Sequence, residues 1–232
     1  MNLKLYYHPL SSNCQKVLMA LQEKSVQFER VFIDMFDVAE NRKYRSEVNP
    51  IGKIPSVLTD EGEVIPESSI IIEYVDRYDG RIRLIPEDPE QARRTRQWDR
   101  FIDFYVNEPL SKAHQDRLRP QGCGDPFGAD QARKRLSRSY AMLDQRLARM
   151  EWLNGEAFSM ADCAAAPSLH VGQFARGFDE FEHVKAYYRR LAERPSWKTV
   201  WGEAEQYRPK VNSDIEIMRI GQGWSQAQLA EA

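Results

Sequence analysis

The sequence predicts a two-part chain: a small mixed α/β unit followed by an all-helical one. Residues 1–79 alternate short apolar strands with helices in the order βαβαββα. Residues 80–89 carry Pro86 and Pro89 with no clean period, which reads as a linker. From 90 to 232 the apolar residues recur almost throughout at helical spacing. At 232 residues the chain is long enough for each part to hold its own core.

The elements follow from local pattern. Leu3, Leu5 and Tyr7 alternate with Lys4 and Tyr6, a half-buried strand. Cys14, Val17, Leu18 and Leu21 then recur on one helical stripe. Phe28 to Ile33 is rich in β-branched and aromatic residues, a second strand, and Val38 to Val48 suits a short polar helix. Ser56-Val57-Leu58 and Val64-Ile65 flank Asp60-Glu61-Gly62-Glu63, a hairpin signal, and Ser68 to Asp79 closes the unit as a helix. The first βαβ should be right-handed, with its two strands parallel. In the second part, Glu90 to Glu108 carries Trp98, Phe101, Ile102 and Tyr105 on one stripe. Ala132 to Met150, Met160 to Phe174 and Val184 to Glu193 are further helices. A Gly/Pro-rich loop, Arg119 to Gly128, separates the first two, and its length is typical of functional loops. The stretch from Val211 to Ala232, with Trp224 near its middle, extends past these helices.

Composition excludes several classes. A net charge of −2 gives no electrostatic case for nucleic acid or an anionic membrane. The basic run Arg93, Arg94 and Arg96 reads as a solvated helix face. No run reaches the apolar length of a membrane span, and the first residues lack a signal-peptide pattern. Three cysteines, Cys14, Cys123 and Cys163, are odd in number and widely spaced, which points to a reducing cytoplasm. His8, His114, His170 and His183 lack metal-ligand spacing and read as structural or solvent-facing, so no metal is expected.

Three segments carry chemistry. Leu10-Ser11-Ser12-Asn13-Cys14 follows the first strand and opens a helix, where backbone N–H groups and the dipole favour an anion. A thioredoxin-like fold carries Cys-x-x-Cys here, but Ser11-x-x-Cys14 has lost the first thiol, which argues against dithiol chemistry. Ser12 with Gln15 fits a capping box, leaving Ser11 to turn its hydroxyl toward a ligand. Asn13 offers its amide to the same ligand; Cys14 is either a small buried hydrophobe or a reactive thiol. In Asn49-Pro50-Ile51-Gly52-Lys53-Ile54-Pro55, a cis Ile54-Pro55 bond would turn the Ile54 backbone outward as an edge for a peptide, with Lys53 beside it for a carboxylate. In Pro66-Glu67-Ser68-Ser69, Ser68 has Ile71 and not Glu or Gln three residues on, so no capping box fills this helix start. Ser68 and Glu67 then match the two charges of an α-amino acid head group. A short peptide with a free α-amino acid end and a central thiol satisfies all three segments, and glutathione is such a peptide.

With these segments in hand, the chain resembles the cytosolic glutathione transferases over essentially its full length. The matching residues are Ser11 to Val17, Asn49 to Pro55, Glu67-Ser68, Leu84-Ile85-Pro86-x-Asp88-Pro89 and Ser159-Met160-Ala161-Asp162. In style it is similar to the serine-type bacterial, theta and zeta-like members. The resemblance implies a thioredoxin-like glutathione-binding domain over 1–79, a linker over 80–89 and an all-α domain over 90–232. It implies Ser11 as the hydroxyl that meets the glutathione sulfur and Ile54 as backbone partner of the cysteinyl unit. Glu67 and Ser68 form the γ-glutamyl site, and Lys53 meets the glycyl carboxylate. Ser159 and Asp162 are a helix cap in that family, as their spacing also suggests. Ser12 stands where many related chains carry proline, leaving two adjacent hydroxyls. The expected activity is conjugation of glutathione, as co-substrate and with no metal, to a small hydrophobic electrophile. The electrophile would sit between Leu10 and the first long helix, where Phe104 and Tyr105 are either pocket lining or core. A cytoplasmic homodimer is implied. Two alternatives stand beside it: a thiol transferase or peroxidase working through Cys14, and a non-enzymatic binding protein of the same fold.

Overall fold

The computed structural model describes residues 3–34, 37–78, 82–116, 119 and 122–208. The stretch Val211–Ala232, with Trp224, lies outside the described residues, as do Arg81, Pro120 and Gln121.

The first part follows the order β1 (Leu3–Tyr7), α1 (Ser12–Glu23), β2 (Phe28–Phe32), α2 (Val38–Glu47), β3 (Ser56–Leu58), β4 (Val64–Pro66) and α3 (Ser68–Asp76). The strands form one sheet in the order β2-β1-β3-β4. β1 runs parallel to β2 and antiparallel to β3, with Leu5 opposite Arg30 and Val57. The β3–β4 hairpin pairs Val57 with Ile65. The period-two reading of β1 holds: Leu3, Leu5 and Tyr7 are buried, and Lys4 and Tyr6 are only partly so. This is the expected thioredoxin-like arrangement. Ile54-Pro55 is cis.

The helical part differs from expectation where one long helix was read over Glu90–Glu108. α4 (Pro89–Phe101) gives way to a π-helical segment (Ile102–Asn107), and α5 (Glu108–Asp116) continues it. The wide turn keeps Ile102 and Val106 in the core while Asp103 and Asn107 reach toward α1. α6 (Pro126–Leu147), α7 (Met160–Ala175) and α8 (Glu182–Glu193) match the predicted helices within a few residues at most ends, although α6 starts six residues before the predicted one. A further helix, α9 (Pro195–Glu205), was not read from the sequence. Pro195 occupies the first turn of this helix, where its missing N–H costs nothing.

α7 is buried on all sides from Met160 to Leu169 and lies at the centre of the helical part. Its start is held by Asp162, which accepts the Ser159 backbone N–H and hydroxyl, both at 2.8 Å. Asp162 also accepts the Leu153 N–H at 3.0 Å and the Tyr187 hydroxyl at 2.5 Å. Burial raises the Asp162 carboxyl above the usual range, and these four bonds work against that.

The two parts share α1. It packs on α3 on one side and on α7 and α9 on the other. Lys16, 1% exposed, reaches the Asp99 carboxylate at 2.7 Å and Asp103 at 3.0 Å, and donates to Ser69 Oγ at 2.8 Å. At the far end Glu23 takes Arg194 through two bonds of 2.9 and 2.7 Å. Asp76 of α3 accepts the Leu84 and Ile85 N–H groups at 2.9 and 3.3 Å, which pulls the linker's apolar pair into the core.

Candidate active site

The turn between β1 and α1 corrects one expectation. Ser11, not Ser12, caps α1: its backbone is extended (φ −75°, ψ 119°) and its Oγ accepts the Cys14 N–H at 3.4 Å. Gln15 takes no part in a capping box; its amide, 2% exposed, donates to the Pro9 carbonyl at 2.8 Å. The helix begins at Ser12, so the cap falls one residue earlier than the Ser-x-x-Gln spacing suggested. Ser12 turns sideways and donates to Asn107 Oδ1 at 3.0 Å. The N–H groups of Ser12 and Asn13, in the first helical turn, have no acceptor within the helix.

Cys14 is fully buried, and burial pushes its thiol up to about 12, against smaller opposing pulls from Ser11 and the His8 backbone. It packs as a small hydrophobe. Tyr7, the nearest phenol in sequence, donates to Glu203 Oε1 at 2.6 Å, and burial with that acceptor drives its pKa up.

The second segment is locked from behind. Tyr44 of α2 donates both to the Lys53 carbonyl and to Ser56 Oγ in a shared contact, each at 2.9 Å. Asn49 donates to the same carbonyl at 2.9 Å and accepts the Ile51 N–H at 3.1 Å. Gly52 sits at φ +72°, and a Cβ there would meet the Arg45 side chain at 2.9 Å, so glycine is required on both counts. The Lys53 carbonyl is tied inward, and the partly buried Ile54 that follows it lines the adjacent cavity.

In the third segment, Glu67 holds the cap position of α3 at φ +70° and makes no side-chain cap bond. This left-handed geometry in a non-glycine residue costs about 1–3 kcal/mol. Ser68 becomes the first helical residue, one place later than a capping role required, and is buried. The start of α3 therefore keeps unclaimed N–H groups, as the lack of a capping box implied.

These segments enclose one cavity of about 200 Å³. Asn13 comes from α1; Asn49, Ile51, Lys53, Ile54 and Pro55 come from the turn, and Pro66, Glu67 and Ser68 from the start of α3. Five sequence candidates thus converge: Asn13, Lys53, Ile54, Glu67 and Ser68. Ser11 sits two residues from Asn13 on the same turn but, like Ser12, Cys14, Leu10, Phe104 and Tyr105, is not in the wall of this cavity. Phe104 and Tyr105 are 56% and 52% exposed, which overturns their reading as core. Phe101 stacks near Tyr105, and Arg100 lies over Phe104. Asn107 was missed. It sits 94 residues from Asn13, and Asn107 Nδ2 donates to Asn13 Oδ1 at 3.2 Å. A larger groove of about 320 Å³ between α3 and the linker is less suited to a charged ligand, because Arg96 and Arg83 there already pair with Glu73 and Glu87.

A four-stranded thioredoxin-like sheet is thus joined to a helical bundle, and polar groups of the first part converge on one cleft. A family model for the glutathione S-transferase N-terminal domain matches residues 10–77, and one for the glutathione S-transferase C-terminal domain matches residues 124–195. Glutathione S-transferase GstB of Escherichia coli is 27% identical over 198 residues, covering 82% of this chain and 93% of that protein. FtsZ-localized protein A of Caulobacter vibrioides is 28% identical over 206 residues, covering 84% and 89%. The crystal structure of a glutathione S-transferase from Methylobacillus flagellatus with GSH bound superposes with a TM-score of 0.79 at 26% identity, covering 85% of this chain and 98% of that one. The chain belongs to the glutathione S-transferase family of enzymes.

Proposed function

We propose that the protein conjugates the thiolate of glutathione to a small hydrophobic electrophile, as a serine-type member of its family, with Ser11 stabilising the thiolate. One observation carries this. Ser11 caps the positive end of α1 with its oxygen accepting the Cys14 N–H, which leaves its one proton for a sulfur acceptor, that of buried Cys14 or of a bound thiolate. A thiol with a pKa of about 8.5 is only a few per cent ionised at neutral pH. A hydrogen bond to a charged group contributes roughly 1.5–3 kcal/mol, or about one to two pKa units. The helix end adds up to about 1 kcal/mol. At the upper end of these ranges the pKa falls to about 6, and the thiolate is the major species with no general base.

In this reading the Ile54 backbone pairs with the cysteinyl unit, Glu67 and Ser68 hold the γ-glutamyl head group, and Lys53 meets the glycyl carboxylate. The electrophile rests between Leu10 and the exposed Phe104 and Tyr105. Residues 1–79 form the glutathione-binding domain, 80–89 the linker and 90–232 the electrophile-binding domain. The family resemblance and the three cysteines, none of them in a disulfide, support a cytoplasmic setting. A homodimer is supported by the exposed Ile70 on α3 and Tyr78 just beyond its end. Thiol transfer through Cys14 is disfavoured, because a buried thiol held near 12 supplies almost no thiolate at neutral pH.

The test is Ser11→Ala, assayed with glutathione and a chlorodinitrobenzene. Loss of one charged hydrogen bond should lower kcat/KM by about 10- to 100-fold. Full activity in Ser11→Ala, with loss in Ser12→Ala or Asn13→Ala, would move the role to those neighbours. No glutathione binding by calorimetry at millimolar concentration would favour a non-enzymatic binding protein.

A further inference from the structure

We propose that Asn107, supplied by the helical part, is a positioning residue that decides which groups of the Ser11-Ser12-Asn13 turn face the glutathione sulfur. The proposal rests on the reading that the thiolate sits at the first turn of α1.

Counting protons along the turn leads to it. Ser12 has one hydroxyl proton, and it is spent on Asn107 Oδ1 at 3.0 Å. The same amide donates through Nδ2 to Asn13 Oδ1 at 3.2 Å. Asn13 lines the cavity, and with its oxygen engaged behind, the group it has left to present is its NH2. Ser11 accepts the Cys14 N–H through its oxygen, and its one proton is available to a sulfur, that of buried Cys14 or of a bound thiolate. The turn therefore offers two donors, from Ser11 and Asn13, and withdraws the hydroxyl between them. An anion needs donors, so this is the pattern that favours a thiolate over a thiol. A turn with two adjacent serines has no such order of its own; the amide from across the domain boundary imposes it.

Asn107 is delivered rigidly. It ends the π-helical segment, four residues after Asp103, which is tied to Lys16 at 3.0 Å one helical turn further along α1. In a π turn these two residues can point at the same neighbouring helix, and such turns are frequent at functional sites.

Two variants test this, with titration of the ultraviolet thiolate absorbance of glutathione bound at saturation. Asn107→Ala removes both bonds. Asn107→Asp keeps the size and the acceptor for Ser12 but has no donor for Asn13, whose amide is then free to rotate its oxygen toward the sulfur. Both should raise the thiolate midpoint by about one pH unit and lower kcat at neutral pH about tenfold. The glutathione KM should change by less than about threefold, because the loss falls on the thiolate and not on the remaining peptide contacts. A midpoint equal to the parent's in folded Asn107→Asp, or a loss confined to KM, would overturn the proposal. If Asn107→Ala fails to fold, the uncharged Asn107→Ser takes its place, since the new carboxylate of Asn107→Asp also raises the thiolate midpoint by its charge. A normal midpoint in Ser11→Ala with a raised one in the uncharged Asn107→Ala would discard the serine assignment while keeping Asn107 as the residue that orients Asn13.

Discussion

Lys16→Met removes a cation from the centre of the boundary between the two parts of the chain. Lys16 and Asp99 are each 1% exposed in their side chains and 2.7 Å apart; Asp103 is 18% exposed and 3.0 Å away. Taking one partner from a buried pair costs about 3–5 kcal/mol, because the remaining charge has neither water nor a counter-ion. Arg100 lies 3.4 Å from Asp99 and 3.5 Å from Asp103 and offsets part of this, so the low end, about 3 kcal/mol, is expected. In a chain of 232 residues that corresponds to a fall in Tm of roughly 6–12 °C. Burial already holds the Asp103 carboxyl above its usual range, with Lys16 pulling it back down. Without Lys16 the folded-state value of the Asp103 carboxyl rises further. Stability is then retained below the unfolded carboxylate value of about 4 and lost as pH rises through the folded value, so the variant should be nearer the parent at pH 5 than at pH 7. Urea unfolding at both pH values measures this. Lys16→Met/Asp99→Asn/Asp103→Asn should recover most of the loss, since a neutral cluster leaves no buried charge. A single variant within about 1 kcal/mol of the parent, or a triple variant no better than the single, would refute the reasoning.

Two further outcomes are open to measurement. The His170 ring lies 3.8 Å from that of Trp201, tilted by 46°, and burial, with Arg208 nearby, pushes its imidazole down to about 4. The unfolded chain therefore binds the proton first, and stability present above pH ~6.5 is lost as pH falls toward 4. Discounted for its partial exposure, His170 should account for about 1–2 kcal/mol of that loss, which His170→Gln abolishes; equal pH slopes in parent and variant would exclude it. For the proposed homodimer, sedimentation velocity should give a two-chain species at micromolar concentration, and Ile70→Glu should shift it toward monomer. A parent that sediments only as a monomer would remove the dimer.

Most of the sheet unit was legible because its signals are local. Leu3, Leu5 and Tyr7 alternate, the hairpin carries its own turn residues, and prolines punctuate the Asn49–Pro55 turn. Five candidate residues in one cavity followed from those signals. What stayed hidden depends on distance or on register. The Trp98, Phe101, Ile102 and Tyr105 stripe looks the same whether or not a π turn interrupts it, so the reach of Asn107 across 95 residues to Ser12 left no trace. The cap of α1 moved by one residue because Ser11 and Ser12 are the same residue type, and only the backbone angle at Ser11 separates them. Glu67 at φ +70° has no compositional signature, since glycine would be the usual choice there.

α1 carries a succession of unrelated duties along its length: Ser11 and Asn13 at the proposed reacting end, Lys16 in the middle, and Glu23 against Arg194 at the far end. A rigid rod held at three points transmits a shift at any one of them. The two parts of this chain are therefore poor candidates for recombination as independent modules. A helical half borrowed from a relative would have to bring its own equivalents of Asp99, Asn107 and Arg194, in register with a helix it did not evolve beside.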